Sequence, residues 1–268
     1  MTTFETPGPL ELDLGIPAGE IELEATDGSA TEVELEPLDD NDATRGVIER
    51  SRVELRPRGD GHKLVVDVPS ERGFGIRFGR TPQVRLRVRC PQGATARIRS
   101  RSADIEARGR FGPADVGTAS GDIHWDSVDG DASFNSVSGD IHLGGVTGAL
   151  ELKTVSGDAE VGTVGGELKV EAVSGDLRID AADGSVKAKS VSGDQRVTVA
   201  EGKVALVSVS GDVEARVRPG SRVFVDANAV SGAVSSELEL SGVAPNGDGP
   251  LVEIRARTVS GDVRIARA

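Results

Sequence analysis

Residues 138–155 read SGDIHLGGVTGALELKTV and residues 156–173 read SGDAEVGTVGGELKVEAV, so the chain repeats itself with a step of 18. The signature begins in the variant form Ser102-Ala103-Asp104. It then recurs as Ser-Gly-Asp at Ser120, Gly121, Asp122, Ser138, Gly139, Asp140, Ser156, Gly157, Asp158, Ser174, Gly175, Asp176, Ser192, Gly193, Asp194, Ser210, Gly211 and Asp212. Self-similarity with a fixed period of this kind is typical of a solenoid, in which each repeat stacks on the next.

Each 18-residue unit divides into two halves, because glycines recur with a step of nine from Gly112 to Gly220. In each half two apolar residues flank one polar residue, as in Ile123 and Trp125 or Leu150 and Leu152. Alternation with period two is typical of a β-strand that buries one face. We therefore predict an all-β fold: a flattened parallel β-helix of two facing sheets, with two strands per coil and equivalent residues stacked about 4.8 Å apart.

A third apolar residue follows three places further on in both halves, for example at Val128 and Val137. We expect the chain to bend there and turn this residue inward as well. The outward position between the apolar pairs should be solvated. The pattern thus predicts exposed side chains at His124, His142, Arg178 and Arg196, and buried ones at Ile123, Trp125, Val137, Ile141, Leu143, Val155, Val161, Val173, Leu177, Ile179 and Val191.

The two ends of the chain depart from the repeat. After Ser210 the step grows to 21 at Ser231 and then to 29 at Ser260, which predicts loops, the longest at 241–250. Before Ser102 the pattern indicates irregular strands near 10–14, 21–24, 32–35, 52–55, 63–68 and 84–88, interrupted by a short helix over 43–50. We assign residues 1–100 to an N-terminal β cap that prevents edge-to-edge aggregation and residues 101–268 to the solenoid.

Composition excludes several classes of partner. A formal charge of −13 disfavours nucleic acid, whose phosphates would be repelled. The N-terminus has no basic head followed by an apolar core, and no run of about 18 apolar residues could span a membrane, so we expect a cytoplasmic protein. Cys90 is the only cysteine, which rules out an intramolecular disulfide.

Three features resemble a known family. They are the Ser-Gly-Asp signature every 18 residues, a strand at 84–91 that ends in Pro91, and a final Ser260-Gly261-Asp262 coil. On these motifs the chain resembles the toast-rack, or putative adhesin, β-helical repeat domains of bacteria over nearly its whole length. The resemblance implies the fold and a link to envelope-stress signalling or adhesion, because family members are similar to extracytoplasmic or membrane-tethered modules.

The aspartates of the signature form a column from Asp104 to Asp212 with carboxylates about 4.8 Å apart, which repel unless they are hydrogen-bonded or neutralised. Calcium is one solution, as in nonapeptide rolls with the signature Gly-Gly-x-Gly-x-Asp, but this chain lacks that signature. The alternative is an Asx-type corner in which Ser and Asp side chains accept backbone N–H bonds. We predict structural corners without a metal or cofactor.

Two further groups suggest ligand sites. His124 and His142 share an outward column with Glu106 and Glu160, where a metal would need a third or fourth ligand, so a solvated column is favoured. The stretch 73–80, GFGIRFGR, has glycines and arginines but neither the spacing nor the following helix of a phosphate cradle. We expect a loop there, with docking through its apolar residues as the alternative.

No motif places a serine or cysteine beside a histidine, so we predict no enzyme. The predicted function is a structural or protein-interaction module with an unidentified protein partner, and self-association through the solenoid ends is one option. The alternative is a carbohydrate-binding or carbohydrate-active β-helix. Tyr is absent and the single Trp is predicted to point inward, which removes the usual aromatic sugar platforms.

Overall fold

The computed structural model describes residues 1–39, 42–70, 81–238 and 249–268. The chain forms two compact units, Met1–Asp129 and Gly130–Ala268. Both are built almost entirely of strands, and the fold is a parallel β-helix as the repeat predicts.

The first unit contains the predicted irregular strands and the predicted short helix. The helix α1 spans Asp42–Glu49 and buries Thr44 and Val47. The strands are β1 (Thr2–Glu5), β2 (Leu10–Thr26), β3 (Ala30–Pro37), β4 (Arg52–Arg58), β5 (Gly61–Asp67), β6 (Val84–Pro91), β7 (Thr95–Phe111), β8 (Ala114–Ser120) and β9 (Ile123–Val128).

Two strands of 17 residues, β2 and β7, each run through both faces of a coil and pair in parallel from Glu11↔Thr95 to Glu24↔Arg108. β5 and β6 pair in parallel with the two halves of β2. The next strands outward from β5 and β6 run in the opposite direction, since β4 is antiparallel to β5 and β3 is antiparallel to β6. This change ends the parallel stacking in the first unit.

The second unit consists of regular coils. Its strands are β10 (Ala132–Ser138), β11 (Ile141–Val146), β12 (Leu150–Ser156), β13 (Ala159–Val164), β14 (Leu168–Ser174), β15 (Leu177–Ala182), β16 (Val186–Lys189), β17 (Gln195–Val199), β18 (Gly202–Ser210), β19 (Val213–Val217), β20 (Arg222–Ser231), β21 (Val234–Ser236), β22 (Leu251–Ser260) and β23 (Val263–Arg267).

Each coil of the second unit gives one strand to each of two sheets. The first sheet contains β10, β12, β14, β16 and β18, and the second contains β11, β13, β15, β17 and β19. Residues 18 positions apart pair side by side, as in Leu150↔Leu168 and Ala159↔Leu177. The predicted coil of two strands is confirmed.

The order of the last coils differs from their order in the chain. β22 pairs in parallel with both β18 and β20, while β23 pairs with both β19 and β21. The final segment of the chain therefore lies between two earlier coils, and β20 and β21 stack outside it. Most of the loop predicted at 241–250 lies outside the described residues.

The core follows the predicted alternation at most positions. Ile123, Trp125, Ile141, Leu143, Val161, Leu177 and Ile179 are buried, whereas His124, His142, Arg178 and Arg196 are exposed, as predicted. The prediction is wrong at four valines. Val137 is 51% exposed, Val155 46%, Val173 45% and Val191 50%.

This error arises because the two halves of a coil follow different backbone paths. In β9 the chain bends after Trp125, so Val128 turns inward and is buried. In β10 the alternation continues without a bend, so Ser136 occupies the inward position and Val137 points outward. A serine precedes the valine in both halves, so the neighbouring residue does not decide the direction of the valine side chain. The path of the backbone decides it.

Glycine is required at the Ser-Gly-Asp corner for two reasons. Gly175 has φ of +121°, a region that side chains with a Cβ rarely adopt, and an added Cβ would lie 2.2 Å from the carbonyl oxygen of Gly157 in the preceding coil. At the other corner Gly184 is constrained by packing alone, since an added Cβ would lie 2.3 Å from the Gly166 oxygen. Close stacking of the coils therefore depends on both glycine columns.

Candidate interaction surface

An apolar column lies on the outer face of the first sheet of the second unit, immediately before the Ser-Gly-Asp corner. Pairing of β22 with β18 and β20 extends the column into the last coils. Its members are 45–78% exposed, and at about 4.8 Å per coil their six steps span about 29 Å. We call it the valine stripe, and it consists of Val137, Val155, Val173, Val191, Val209, Val259 and Val230.

The continuity of the valine stripe distinguishes it from ordinary surface apolar residues. Single exposed valines are common on soluble proteins, whereas contiguous exposed apolar patches mark interaction surfaces. Val207, 40% exposed, widens the patch beside Val209. The stripe is therefore the strongest candidate for a functional surface in the second unit.

Basic side chains flank the valine stripe on one side. They occupy two outward columns, which lie two and four residues before each valine of the stripe. These columns contain six cations and three carboxylates, those of Glu151, Glu171 and Asp226. This excess of positive charge contrasts with the net charge of −13 on the whole chain. We call these cations the basic flank, and they are Lys153, Lys169, Lys187, Lys189, Arg255 and Arg257.

Part of the basic flank is already neutralised. Glu151 lies 2.9 Å from Lys153 and 2.8 Å from Lys169, and hydrogen bonds from Lys169 and Lys153 lower the pKa of Glu151 to about 2. Among the described residues, by contrast, Lys187 and Lys189 form no ion pair. The positive charge of these lysines is available to a partner.

The aspartate column flanks the valine stripe on the other side, three residues beyond each valine. Each Asp Oδ1 accepts a hydrogen bond from the backbone N–H of the next coil's residue at the same position, as from Asp158 to Asp140 and from Asp176 to Asp158, both 2.8 Å. These bonds join adjacent coils and do not close a local turn. We call this column the acidic flank, and it contains Asp140, Asp158, Asp176, Asp194, Asp212 and Asp262.

The corner residues of the first unit show the same geometry. Asp104 Oδ1 accepts a hydrogen bond from the N–H of Asp122 at 3.0 Å, and Gly121 has φ of +134°. The signature serines lie at the exposed or half-exposed ends of the strands, next to these glycines. Within the described ranges, no group of three or more His, Cys, Asp or Glu side chains is arranged to hold a metal ion.

The other residues singled out by the sequence do not combine into a site. His142 Nε2 lies 3.5 Å from Glu160 Oε2, with both side chains about half exposed. Burial raises the pKa of the Cys90 thiol to about 12, so the thiol is neutral and inaccessible. The 73–80 segment lies outside the described residues.

The aromatic residues do not form a sugar platform in the part of the chain that the structure describes. Trp125 is 1% exposed and packs edge-on against Phe111, with ring centroids 5.1 Å apart. Phe134 is fully buried, and among the described residues Phe224 is the one strongly exposed aromatic side chain. The predicted inward position of Trp125 is confirmed.

A groove on the first unit carries mostly paired charges. A cavity of about 350 Å³ is lined by residues of β2, β3, β6 and β7. Arg87 Nε donates to Glu22 at 2.8 Å and Arg89 Nε to Glu24 at 2.9 Å, and the hydrogen bond to Glu22 raises the pKa of Arg87. Since these charges satisfy one another, the groove offers a partner less than the valine stripe does.

A second cavity, of about 730 Å³, lies on the second unit beside the acidic flank. On the side of the second sheet, Glu214 accepts hydrogen bonds from Arg196 at 2.5 Å and from Arg216 at 2.9 Å, and the acidic-flank aspartates complete the lining. Partial burial would raise the pKa of Glu214, but these two bonds hold it below its ordinary value. The cavity therefore joins ion pairs on the second sheet to carboxylates of the acidic flank.

Stacked two-strand coils with glycine and aspartate corners define the class of the protein as a parallel β-helix. The family model described as Toastrack DUF4097 matches residues 19–266, and the chain belongs to the Toastrack family. The resemblance drawn from the Ser-Gly-Asp signature is therefore confirmed.

Solved structures similar to the chain include a putative adhesin and a putative cell adhesion protein. A putative adhesin from Bacteroides fragilis NCTC 9343 is 12% identical, with a TM-score of 0.46, and the match covers 100% of this chain and 95% of that one. A putative cell adhesion protein from Clostridium sporogenes ATCC 15579 is 10% identical, with a TM-score of 0.25, and the match covers 97% and 92%. A search of curated proteins found no match.

The valine stripe is the feature that sequence reasoning missed. Its signal was present, because a valine precedes the Ser-Gly-Asp signature in every coil from Ser138 to Ser210. The repeat placed these valines in the core, where most regularly repeated apolar positions of a solenoid belong. The described helix, α1, is only eight residues long and cannot cross a membrane.

Proposed function

We propose that the protein is a non-enzymatic interaction module that binds a protein partner on the valine stripe. The observation that supports this proposal is the row of seven exposed valines on one sheet face. A stripe of this length that no partner covered would promote aggregation, because a flat apolar surface attracts other apolar surfaces. A role in adhesion or envelope-stress signalling, as the family resemblance implies, is compatible with such a module.

The energy available from the stripe is sufficient for specific binding. Covering the exposed half of a valine side chain contributes about 1 kcal/mol at the usual value per unit of apolar area. Seven such contacts give several kcal/mol before the cost of association, which lies in the same range. We therefore expect moderate affinity, with specificity supplied by the flanking charges.

The carbohydrate alternative has less support. Sugar-binding faces depend on clusters of exposed aromatic rings, whereas Trp125 and Phe134 are both in the core and, of the residues that the structure describes, Phe224 alone is a strongly exposed aromatic. The outward columns of the first sheet instead combine valine with lysine, arginine and glutamate, and the acidic flank lies at the adjoining corner. This composition suits a protein surface of mixed charge better than a sugar.

Site-specific photo-crosslinking in the cells that make the protein tests the proposal. A photoreactive residue replaces Val173 on the stripe or, as a matched control, Thr163, which is exposed on the second sheet. We expect a discrete protein adduct at position 173 that disappears in the variant V155E/V191E. Equal labelling at both positions, or no adduct at 173, would show that the stripe is not a docking surface.

A further inference from the structure

We propose that the partner of the valine stripe is a second copy of this chain, packed stripe against stripe about a two-fold axis that runs parallel to the stacking direction of the coils. This inference rests on the proposed function, because it names the partner of the same surface. The arguments are the repeat distance, the arrangement of the flanking charges and the area available.

The spacing of the stripe favours a partner with the same repeat. The valines are separated by the distance between parallel strands, about 4.8 Å, for six consecutive steps. Valine side chains from one copy interlock with those of another only when both rows have the same period. Because every member of the stripe is a valine, a second copy supplies a matching row over the full length.

The flanking charges select the parallel arrangement. The basic flank lies on one side of the stripe and the acidic flank on the other. Rotation about an axis along the stripe places the basic flank of one copy opposite the acidic flank of the other. Rotation about an axis across the stripe would instead place each flank opposite its own equivalent, with repulsion between like charges.

Unpaired cations strengthen this charge match. Lys187 and Lys189 form no ion pair with any described residue, and they lie on the two columns beside Val191. In the parallel dimer they face aspartates such as Asp194. The Oδ1 atom of Asp194 accepts a hydrogen bond from the backbone N–H of Asp212 in the next coil. The contact would neutralise charge on both copies, although the chain as a whole carries −13.

The area is enough for a weak dimer. The stripe is about 29 Å long in the stacking direction. The distance along the strands from the basic flank to the acidic flank is about 20 Å at about 3.3 Å per residue, so the face has an area of about 600 Å² per copy. Specific interfaces begin near about 1,200 Å² in total. We therefore expect a dimer with a dissociation constant in the micromolar range that weakens as salt rises.

Sedimentation equilibrium of the purified full chain tests the proposal. We expect a monomer–dimer equilibrium for the natural sequence and a monomer for V155E/V191E, while the control T163E behaves as the natural sequence does. Circular dichroism melts establish that both variants are folded, which is expected because all three positions are exposed. A monomer at concentrations up to about 1 mM, or growth into species larger than a dimer, would overturn the proposal.

Disulfide trapping tests the orientation. In a Cys90→Ala background, the single variants V137C and V259C place a thiol near opposite ends of the stripe. A parallel dimer brings each thiol close to its equivalent, so both variants should form disulfide dimers on mild oxidation. If V191C, at the centre of the stripe, cross-links and the other two do not, then the packing is antiparallel and the proposed axis is wrong.

The two proposals fail in different ways. A chain that is monomeric in solution but gives a stripe-specific adduct with another protein in cells would contradict self-association and support docking. An adduct twice the mass of the chain, lost in V155E/V191E, supports both proposals. Absence of both the dimer and the adduct contradicts both.

Discussion

At the residue scale, glycine has two unlike roles in this chain. Gly175 combines positive φ with a Cβ position that overlaps the carbonyl of Gly157, so the corner admits no side chain. Gly46 lies in α1, and nothing lies within 4 Å of the Cβ that it lacks. The first glycine permits stacking, and the second only adds flexibility to the unfolded chain.

This contrast gives a paired prediction. Gly175→Ala should lower the free energy of unfolding by more than about 2 kcal/mol, because strain in φ adds to a clash between coils. Gly46→Ala should raise it by about 0.5–1 kcal/mol, because alanine is the better helix former. Urea titrations of both variants provide the measurement. Equal effects, or a neutral Gly175→Ala, would show that the corners can separate at little cost.

The direction of each side chain, into the core or towards solvent, shows what the sequence can and cannot predict. The alternation at Leu150 and Leu152 identifies inward positions correctly, because a strand of any path buries every second residue. Val146 and Val155 have similar local sequences, each after a small residue and before a glycine corner, yet one is buried and the other exposed. The bend that separates them depends on how each half-coil meets its corner, which the local pattern does not encode.

At the element scale, the coil is the unit of stability. Deleting residues 156–173 joins Val155 to Ser174 and removes one strand from each sheet while keeping every column in register. In a solenoid each coil contacts mainly its neighbours, so we expect the shortened chain to fold with a melting temperature only a few degrees lower, about 2–5 °C.

Deleting only residues 157–165 should be far more harmful. The half-coils are not interchangeable, since β13 turns its last valine, Val164, inward and β14 leaves Val173 exposed. Every later strand would meet the wrong sheet. We expect loss of the cooperative transition of the second unit in circular dichroism melts. A nine-residue deletion as stable as the 18-residue one would contradict the two-strand coil.

The order of the last coils lay beyond prediction. The steps of 21 and 29 at Ser231 and Ser260 indicate inserted residues but carry no information on spatial order. Insertion of β22 between β18 and β20 is decided by packing between segments distant in sequence. The surface was missed for a similar reason, because a repeated valine is by default a core residue.

At the scale of the whole molecule, the net negative charge opposes the compact state. The net charge of −13 includes the acidic flank, whose carboxylates are stacked one per coil. The hydrogen bonds from the next coil's N–H groups hold one oxygen of each carboxylate, so we expect the column to be stable without a cation bridging every coil. Ionic strength should therefore matter to stability, because salt screens the remaining repulsion.

The last prediction separates screening from specific calcium binding at this column. We expect EDTA to leave the melting temperature unchanged when ionic strength is held constant, whereas raising NaCl from about 0.01 M to about 0.15 M should increase it by a few degrees, since the screening length falls from about 30 Å to about 8 Å. A calcium site would give the opposite pattern, with a large loss on chelation that Ca²⁺ restores and NaCl does not. Differential scanning calorimetry of one preparation in low NaCl, in high NaCl, with EDTA and with Ca²⁺ restored distinguishes screening from calcium binding. A diffuse ionic atmosphere responds to total salt, whereas a coordinated ion responds to its own concentration.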